Sequence, residues 1–233
     1  MRTRGKNADR ERGCVPTDRL LCLTLLIALG ATGVASGVGH AGQAISSGSP
    51  RAGIAVLPFE GRADSLPEGY AFVPSQAIRD ALQQVRAVRL VESADIVASL
   101  GRLNLASADG LADDALIRLA RDLQVRGLIA GSFGTDGDAV KIQARFVDTA
   151  GPGRVIRSEP MAGPAGEYLA ASSRIGRSAL QQFQIRLAEP DERRMEAAFA
   201  GGTGSLDAYA LYARAAWEQG LGTKDAHERA VGL

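Results

Sequence analysis

Asp122-Leu-Gln-Val-Arg-Gly-Leu-Ile-Ala-Gly-Ser-Phe133, Gly134-Thr-Asp-Gly-Asp138 and Ala139-Val-Lys-Ile-Gln-Ala-Arg-Phe-Val-Asp148 form the continuous stretch on which the fold turns. Its last arm alternates, with Val140, Ile142, Ala144 and Phe146 on one side and Lys141, Gln143 and Arg145 on the other, the period of a half-buried strand. The first arm, Val125 to Phe133, is more continuously apolar and rich in small residues, as befits a central strand packed on both faces. Between the arms, Gly134, Asp136 and Gly137 suit the positive φ values of a tight antiparallel connection. The spacing predicts a β-hairpin, and no reactive group stands out in it.

Working outward, Ala112 to Leu123 carries Ala115, Leu116, Leu119, Ala120 and Leu123 on one stripe, an amphipathic helix feeding the hairpin. Upstream, Gly53 to Phe59 is a short apolar strand ended by Pro58, which cannot donate to a ladder. Glu60 to Gly69 reads as a polar loop, Phe72 to Val85 as a helix with Pro74 in its first turn, and Val88 to Glu92 as a second short strand. Ser93 is placed to cap a helix carrying Ile96, Val97 and Leu100, and Asn104 to Gly110 reads as a loop. Downstream, Thr149 to Gly153 turns the chain into a third antiparallel arm, Arg154 to Glu159, polar and ended by Pro160 as a protected edge is. Gly166 to Leu187 is the longest helical pattern, with Leu169, Ile175, Leu180, Phe183 and Leu187 spaced for burial. Leu206 to Gln219 and Thr223 to Val231 form a helical pair around Gly220-Leu221-Gly222. The expected fold class is α/β (α+β), a mixed sheet with an antiparallel three-strand segment covered by helices, plus a C-terminal helical hairpin. The expected layout is a leader over 1–44, a linker over 45–52, the α/β domain over 53–188, a charged and Gly-rich linker over 189–204, and the helical segment over 205–233.

Net charge is close to zero, and the excess of positive charge sits in the first residues, where Arg2, Arg4, Lys6, Arg10, Arg12 and Arg19 outnumber Asp9, Glu11 and Asp18. The remainder is slightly acidic, which argues against a nucleic-acid footprint. Leu20 to Val38 is apolar and ends in small residues, with Gly39-His40-Ala41 and Gly42-Gln43-Ala44 after it. A basic head, a short apolar run and small residues at the exit are the order of a secretory signal peptide. The alternative is an uncleaved anchor through residues 20–38, since the run approaches the length that spans a bilayer. Either way the basic head stays cytoplasmic and the rest is exported.

Chemistry is sparse. Cys14 and Cys22 are the only cysteines and fall in the leader, so the domain has no thiol for a disulfide, nucleophile or metal site. The two histidines, His40 beside the expected cleavage point and His227 in the last helix, read as solvated. Gly131 to Gly137 lacks both the Gly-x-Gly-x-x-Gly spacing and the Lys-Ser/Thr of a phosphate loop. Asp113 and Asp114 could form an acid/base pair, yet the first turn of a helix favours negative charge without any catalytic purpose. Tyr209, Tyr212 and Trp217 read as helical core rather than a ligand cage. No residue is assigned as catalytic, cofactor-binding or metal-binding, and an enzyme is not expected.

Ile54-Ala-Val-Leu-Pro-Phe59 with the helix after it, the strand Val88 to Glu92, Leu119-Ala-Arg-Asp-Leu-Gln-Val125, the strand Gly127 to Phe133, and Val140-Lys-Ile-Gln-Ala-Arg-Phe-Val-Asp148 resemble the TolB amino-terminal domain. The same layout is similar, more distantly, to the curli-secretion CsgG protein and the LpoB activators of penicillin-binding proteins, over about Gly53 to Leu187. The resemblance implies a non-catalytic mixed α/β module of the bacterial envelope that works by contacting other proteins. It also implies tetratricopeptide repeats downstream, and Ala208-Tyr-Ala-Leu-Tyr212 with Gly220, Ala226 and Ala230 resembles the opening of one. One such unit cannot bury its apolar face alone, so it either docks onto the α/β domain or belongs to a truncated array. The expectation is an exported, non-enzymatic periplasmic protein whose partners are other envelope proteins. The alternatives are a membrane-anchored sensor or assembly subunit that binds a ligand or oligomerises, and an exported carboxylate hydrolase.

Overall fold

The computed structural model describes residues 51–61, 69–107, 110–136, 139–200 and 204–232. The expected leader, with Cys14, Cys22, His40 and residues 20–38, lies outside the described residues, as does the hairpin tip at 137–138. The strands are β1 (Ala52–Val56), β2 (Glu60–Gly61), β3 (Val88–Leu90), β4 (Gly127–Asp136), β5 (Ala139–Asp148), β6 (Arg154–Arg157) and β7 (Met161–Pro164). The helices are α1 (Phe72–Leu82), α2 (Ser93–Arg102), α3 (Asp113–Asp122), α4 (Tyr168–Gln182), α5 (Glu189–Ala200), α6 (Leu206–Gln219) and α7 (Lys224–Val231).

The sheet runs β3-β1-β4-β5-β6, with β2 pairing with β4 beyond the end of β1 and β7 pairing with β5 beyond the end of β6. β3, β1, β2 and β4 are joined in parallel, and β4, β5, β6 and β7 antiparallel. The mixed α/β class expected from the sequence is the observed one. Alternation builds the layers: Ile129, Phe133, Ile142 and Phe146 face a core closed by α1, α4, α5 and α6, and Leu128, Ala130 and Val147 face a second core under α2 and α3. β4 is buried on both faces, as its continuous apolar run predicts.

The structure departs from the sequence reading in five places. Ser93 is the first residue of α2 and does not cap it; Glu92 holds the N-cap position, with no side-chain cap hydrogen bond. Gly134 and Thr135 belong to β4, paired with Lys141 and Val140, so the hairpin connection is shorter than expected. The expected loop after Phe59 opens with β2. The edge does not stop at Pro160, because a bulge carries it into β7: two β5 residues lie between Ile142 and Arg145, while three lie between their partners Arg157 and Met161. The expected linker over 189–204 is largely α5, whose Met195 and Phe199, four residues apart, are buried against the first core, with Pro190 in the first turn where no N–H is required.

Helices α2, α3 and α4 are closed alike. Asn104, Gln124 and Gln184 take positive φ of 55°, 52° and 56°, and the apolar residue after each donates its N–H back to the last turn, Leu105 to Leu100, Val125 to Ala120 and Ile185 to Leu180. The C-terminal helical pair docks onto the layers rather than standing apart. Tyr209, Ala210 and Ala213 of α6 enter the first core, Trp217 packs against the second and lies 5.9 Å from the Phe72 ring, and the Ala94 N–H donates to the Gly220 carbonyl at 3.0 Å.

Candidate functional site

The alternation that buries Val140, Ile142 and Phe146 places Lys141, Gln143 and Arg145 on the opposite side of β5, where part of the sheet extends beyond α3. Across the strands the register sets Ala130, Arg145 and Arg157 in one row, Glu60, Ser132 and Gln143 in the next, and Gly134, Lys141 and Ala162 in a third. Small residues in β4 and long ones in β5 leave recesses. One of about 180 Å³ is lined by Glu60, Gly110, Ser132, Gln143, Arg145 and Arg157. Its neighbour, about 460 Å³, is lined by Gly134, Lys141, Gln143, Pro160, Met161 and Ala162 among others. A third groove of about 610 Å³ lies on the other side of the edge, between β6 and α4, with Phe146, Ile156 and Met161 in its lining beside Arg174, Arg177 and Gln181.

The charges on this face are arranged around Asp113. Arg157 Nη2 donates to Asp113 Oδ2 at 2.7 Å, and Arg145 Nη1 lies 3.5 Å from Oδ1 while donating to the Leu111 carbonyl at 2.6 Å. Asp113 Oδ1 is buried and accepts no hydrogen bond among the described residues, while the side chain as a whole is 37% exposed, so the two guanidinia and water share its charge. Asp114 instead reaches along the helix to Arg118 at 3.7 Å. The two neighbouring carboxylates thus serve different partners and do not converge as an acid/base pair would.

Tyr209, Tyr212 and Trp217 are on α6. Tyr209, 7% exposed, has its ring 5.3 Å from the tilted Tyr168 ring and 5.4 Å from Tyr212, edge to face, and its hydroxyl donates to Asp80 at 3.0 Å. Tyr212, 50% exposed, also reaches Asp80, whose other oxygen accepts from Gln76 Nε2 at 2.6 Å. Tyr70 bonds to Asp207. Burial pushes the Asp80 carboxyl up against the opposing pull of these donors. The phenols move up too: Tyr168 to about 12 through burial, Tyr70 to about 12 through its bond to Asp207, and Tyr209 and Tyr212 through burial first and the Asp80 charge second. His227 is exposed on α7. Among the described residues no group of three or more His, Cys, Asp or Glu could hold a metal ion, and no helix is long and apolar enough to cross a membrane.

A pH effect follows with a definite sign. These four tyrosines are all the chain has, and each keeps its proton to higher pH when folded than when unfolded. Their contribution is therefore intact below about pH 10 and is lost as pH rises through the folded values. Phenolate absorbance of the folded protein is expected to lag that of the urea-unfolded chain, with stability declining above about pH 10; coincident titration curves would contradict the tyrosine node.

No family model matches the chain, and no curated protein matches it. Among solved structures it is similar to the LpoB C-terminal domain from Salmonella enterica, at 19% identity and TM-score 0.39 over 51% of this chain and 87% of that one. It is similar as well to E. coli LpoB, at 14% identity and TM-score 0.36 over 66% of this chain and 91% of the other. The PelC L103M dodecamer from Paraburkholderia phytofirmans is a further likeness, at 15% identity and TM-score 0.33 over 60% and 96%.

Proposed function

We propose that this chain is an exported, non-enzymatic protein of the bacterial envelope, and that its α/β domain and helical tail bind other envelope proteins. Residues 1–44 serve as the leader, on the basic head and apolar run read in the sequence. The observation that carries the interaction reading is the edge of the sheet at β6 and β7, on whose outer side no strand pairs among the described residues, flanked on both sides by grooves whose charged side chains answer one another. Such a surface offers shape and charge to a partner, and its carboxylate at Asp113 is held by two arginines instead of being poised for proton transfer.

The test is site-specific photo-cross-linking in cells, with the reactive residue at Gln143 or Ser158 beside the edge and, as a control, at Arg193 on α5. Discrete adducts with envelope proteins are expected from the first two positions and not from the third. Recovery of the protein in the cytosol with its leader intact, or the same adducts from all three positions, would refute the proposal.

A further inference from the structure

We infer that the recess of about 180 Å³ on the polar side of β4 and β5 binds a small zwitterion, an α-amino acid the size of alanine, with its ammonium at Glu60 and its carboxylate at Arg145 and Arg157. This goes beyond the interaction reading above and does not rest on it.

Unmet polar groups are the first argument. Ser132 is 6% exposed, yet its hydroxyl makes no hydrogen bond among the described residues, and it lines this recess and the neighbouring one. A hydroxyl so enclosed needs water or a ligand as its partner. Arg145 has a side chain only 18% exposed, and its carboxylate partner Asp113, at 3.5 Å, is shared with Arg157. Beyond Asp113 and the Leu111 carbonyl, the two guanidinia keep N–H groups open to the recess they line. Glu60, half-buried at the other side, makes neither a hydrogen bond nor an ion pair among the described residues.

Placement and charge say what kind of molecule fits. The register sets Ser132 between Glu60 and Gln143, with Arg145 and Arg157 in the adjacent row. Both poles close on the segment that leads into α3: a Cβ on Gly110 would lie 3.6 Å from Glu60 Oε1, and Arg145 donates to the carbonyl of the next residue, Leu111. Neighbouring residues are about 3.8 Å apart along the chain, so acid and guanidinium approach adjacent points of it without forming a pair. Two arginines sharing Asp113 leave one positive charge unanswered, and Glu60 leaves one negative charge unanswered. The recess is therefore neutral as a whole but carries opposite poles, which a molecule with both charges answers and a simple anion or cation does not. Lys141, the next cation along β5, lines the neighbouring recess and not this one. The space holds roughly six waters, and a ligand of about six non-hydrogen atoms replaces them.

The experiment titrates the full chain with L-alanine, propionate and ethylamine, followed by the NMR signals of the Ser132 backbone amide and the Gln143 side-chain amide. L-alanine is expected to shift both signals and to bind at least about tenfold more tightly than propionate or ethylamine, each of which lacks one end. Glu60→Gln breaks no bond seen among the described residues, and is expected to weaken L-alanine about tenfold while propionate binds as to the parent. Arg157→Gln is expected to weaken L-alanine and propionate alike. The comparison of the three ligands on the parent protein decides the matter even if a variant fails to fold. Propionate or ethylamine binding as tightly as L-alanine, no shift of either signal, or undiminished L-alanine binding by Glu60→Gln would overturn the inference. So would the same shifts produced by sodium chloride at equal concentration, since they would make the recess a site for simple ions. Each of these outcomes leaves the broader proposal to the cross-linking result.

Discussion

Gly131→Ala is expected to destabilise the protein by about 3 kcal/mol, at the upper end of what overpacking a core costs. A Cβ at this position would run into the Gln143 backbone carbonyl and lie 2.6 Å from the Phe59 ring. The ring is fully buried beneath the sheet, and the carbonyl belongs to β5, so neither obstacle is the loose end of a side chain. Relief requires β4 and β5 to part at the middle of their ladder. The check is a urea midpoint compared at constant slope; a loss below about 1 kcal/mol would show that the hairpin accommodates the methyl group, and that Phe59 is not clamped as described.

Asp148→Ala is expected to cost a comparable amount, about 3 kcal/mol, the lower end for removing one partner of a buried ion pair. The carboxylate ends β5 with its side chain 4% exposed, where it bonds to Arg126, accepts the Ala150 N–H at 2.9 Å and meets Arg154 Nη2 at 3.3 Å. It joins the start of β4, the end of β5 and the start of β6 through one group. Arg126 and Arg154 keep access to water at 28% and 57% exposure, which holds the penalty at the low end. Asp148→Asn keeps one acceptor oxygen for Arg126 and the Ala150 N–H but loses the charge and the acceptor facing Arg154, so its loss is expected to fall between the parent and the alanine variant. Chemical denaturation of the three proteins tests the order, and an asparagine variant less stable than the alanine one would contradict it.

The hairpin was legible because a strand with one wet face prints its orientation into every second residue, and Lys141, Gln143 and Arg145 all lie on the side opposite Val140, Ile142 and Phe146 as read. How much of that polar side stays open was not legible, since it depends on where α3 comes to rest. α5 was missed for a related reason. Among its residues Met195 and Phe199 alone mark a buried hydrophobic face, too few to signal a helix until α1 and α4 provide something to pack against. β7 was missed because proline was read as a stop, whereas Pro160 falls in the bulge, outside the ladder. Of the α6 aromatics read as core, Tyr209 is buried and Trp217 packs against the second core, whereas Tyr212 is 50% exposed; the acceptor Asp80, 129 residues before Tyr209, could not be found by spacing. The positive-φ helix ends at Asn104, Gln124 and Gln184 were not legible, since glycine is the residue that usually marks such positions.

The placement of α6 has a consequence for how the protein comes apart. A helix that shares side chains with both layers cannot peel away while the two layers persist. Trp217, the sole indole in the sequence, sits on that helix, so its fluorescence is a gauge of melting in strands it does not belong to.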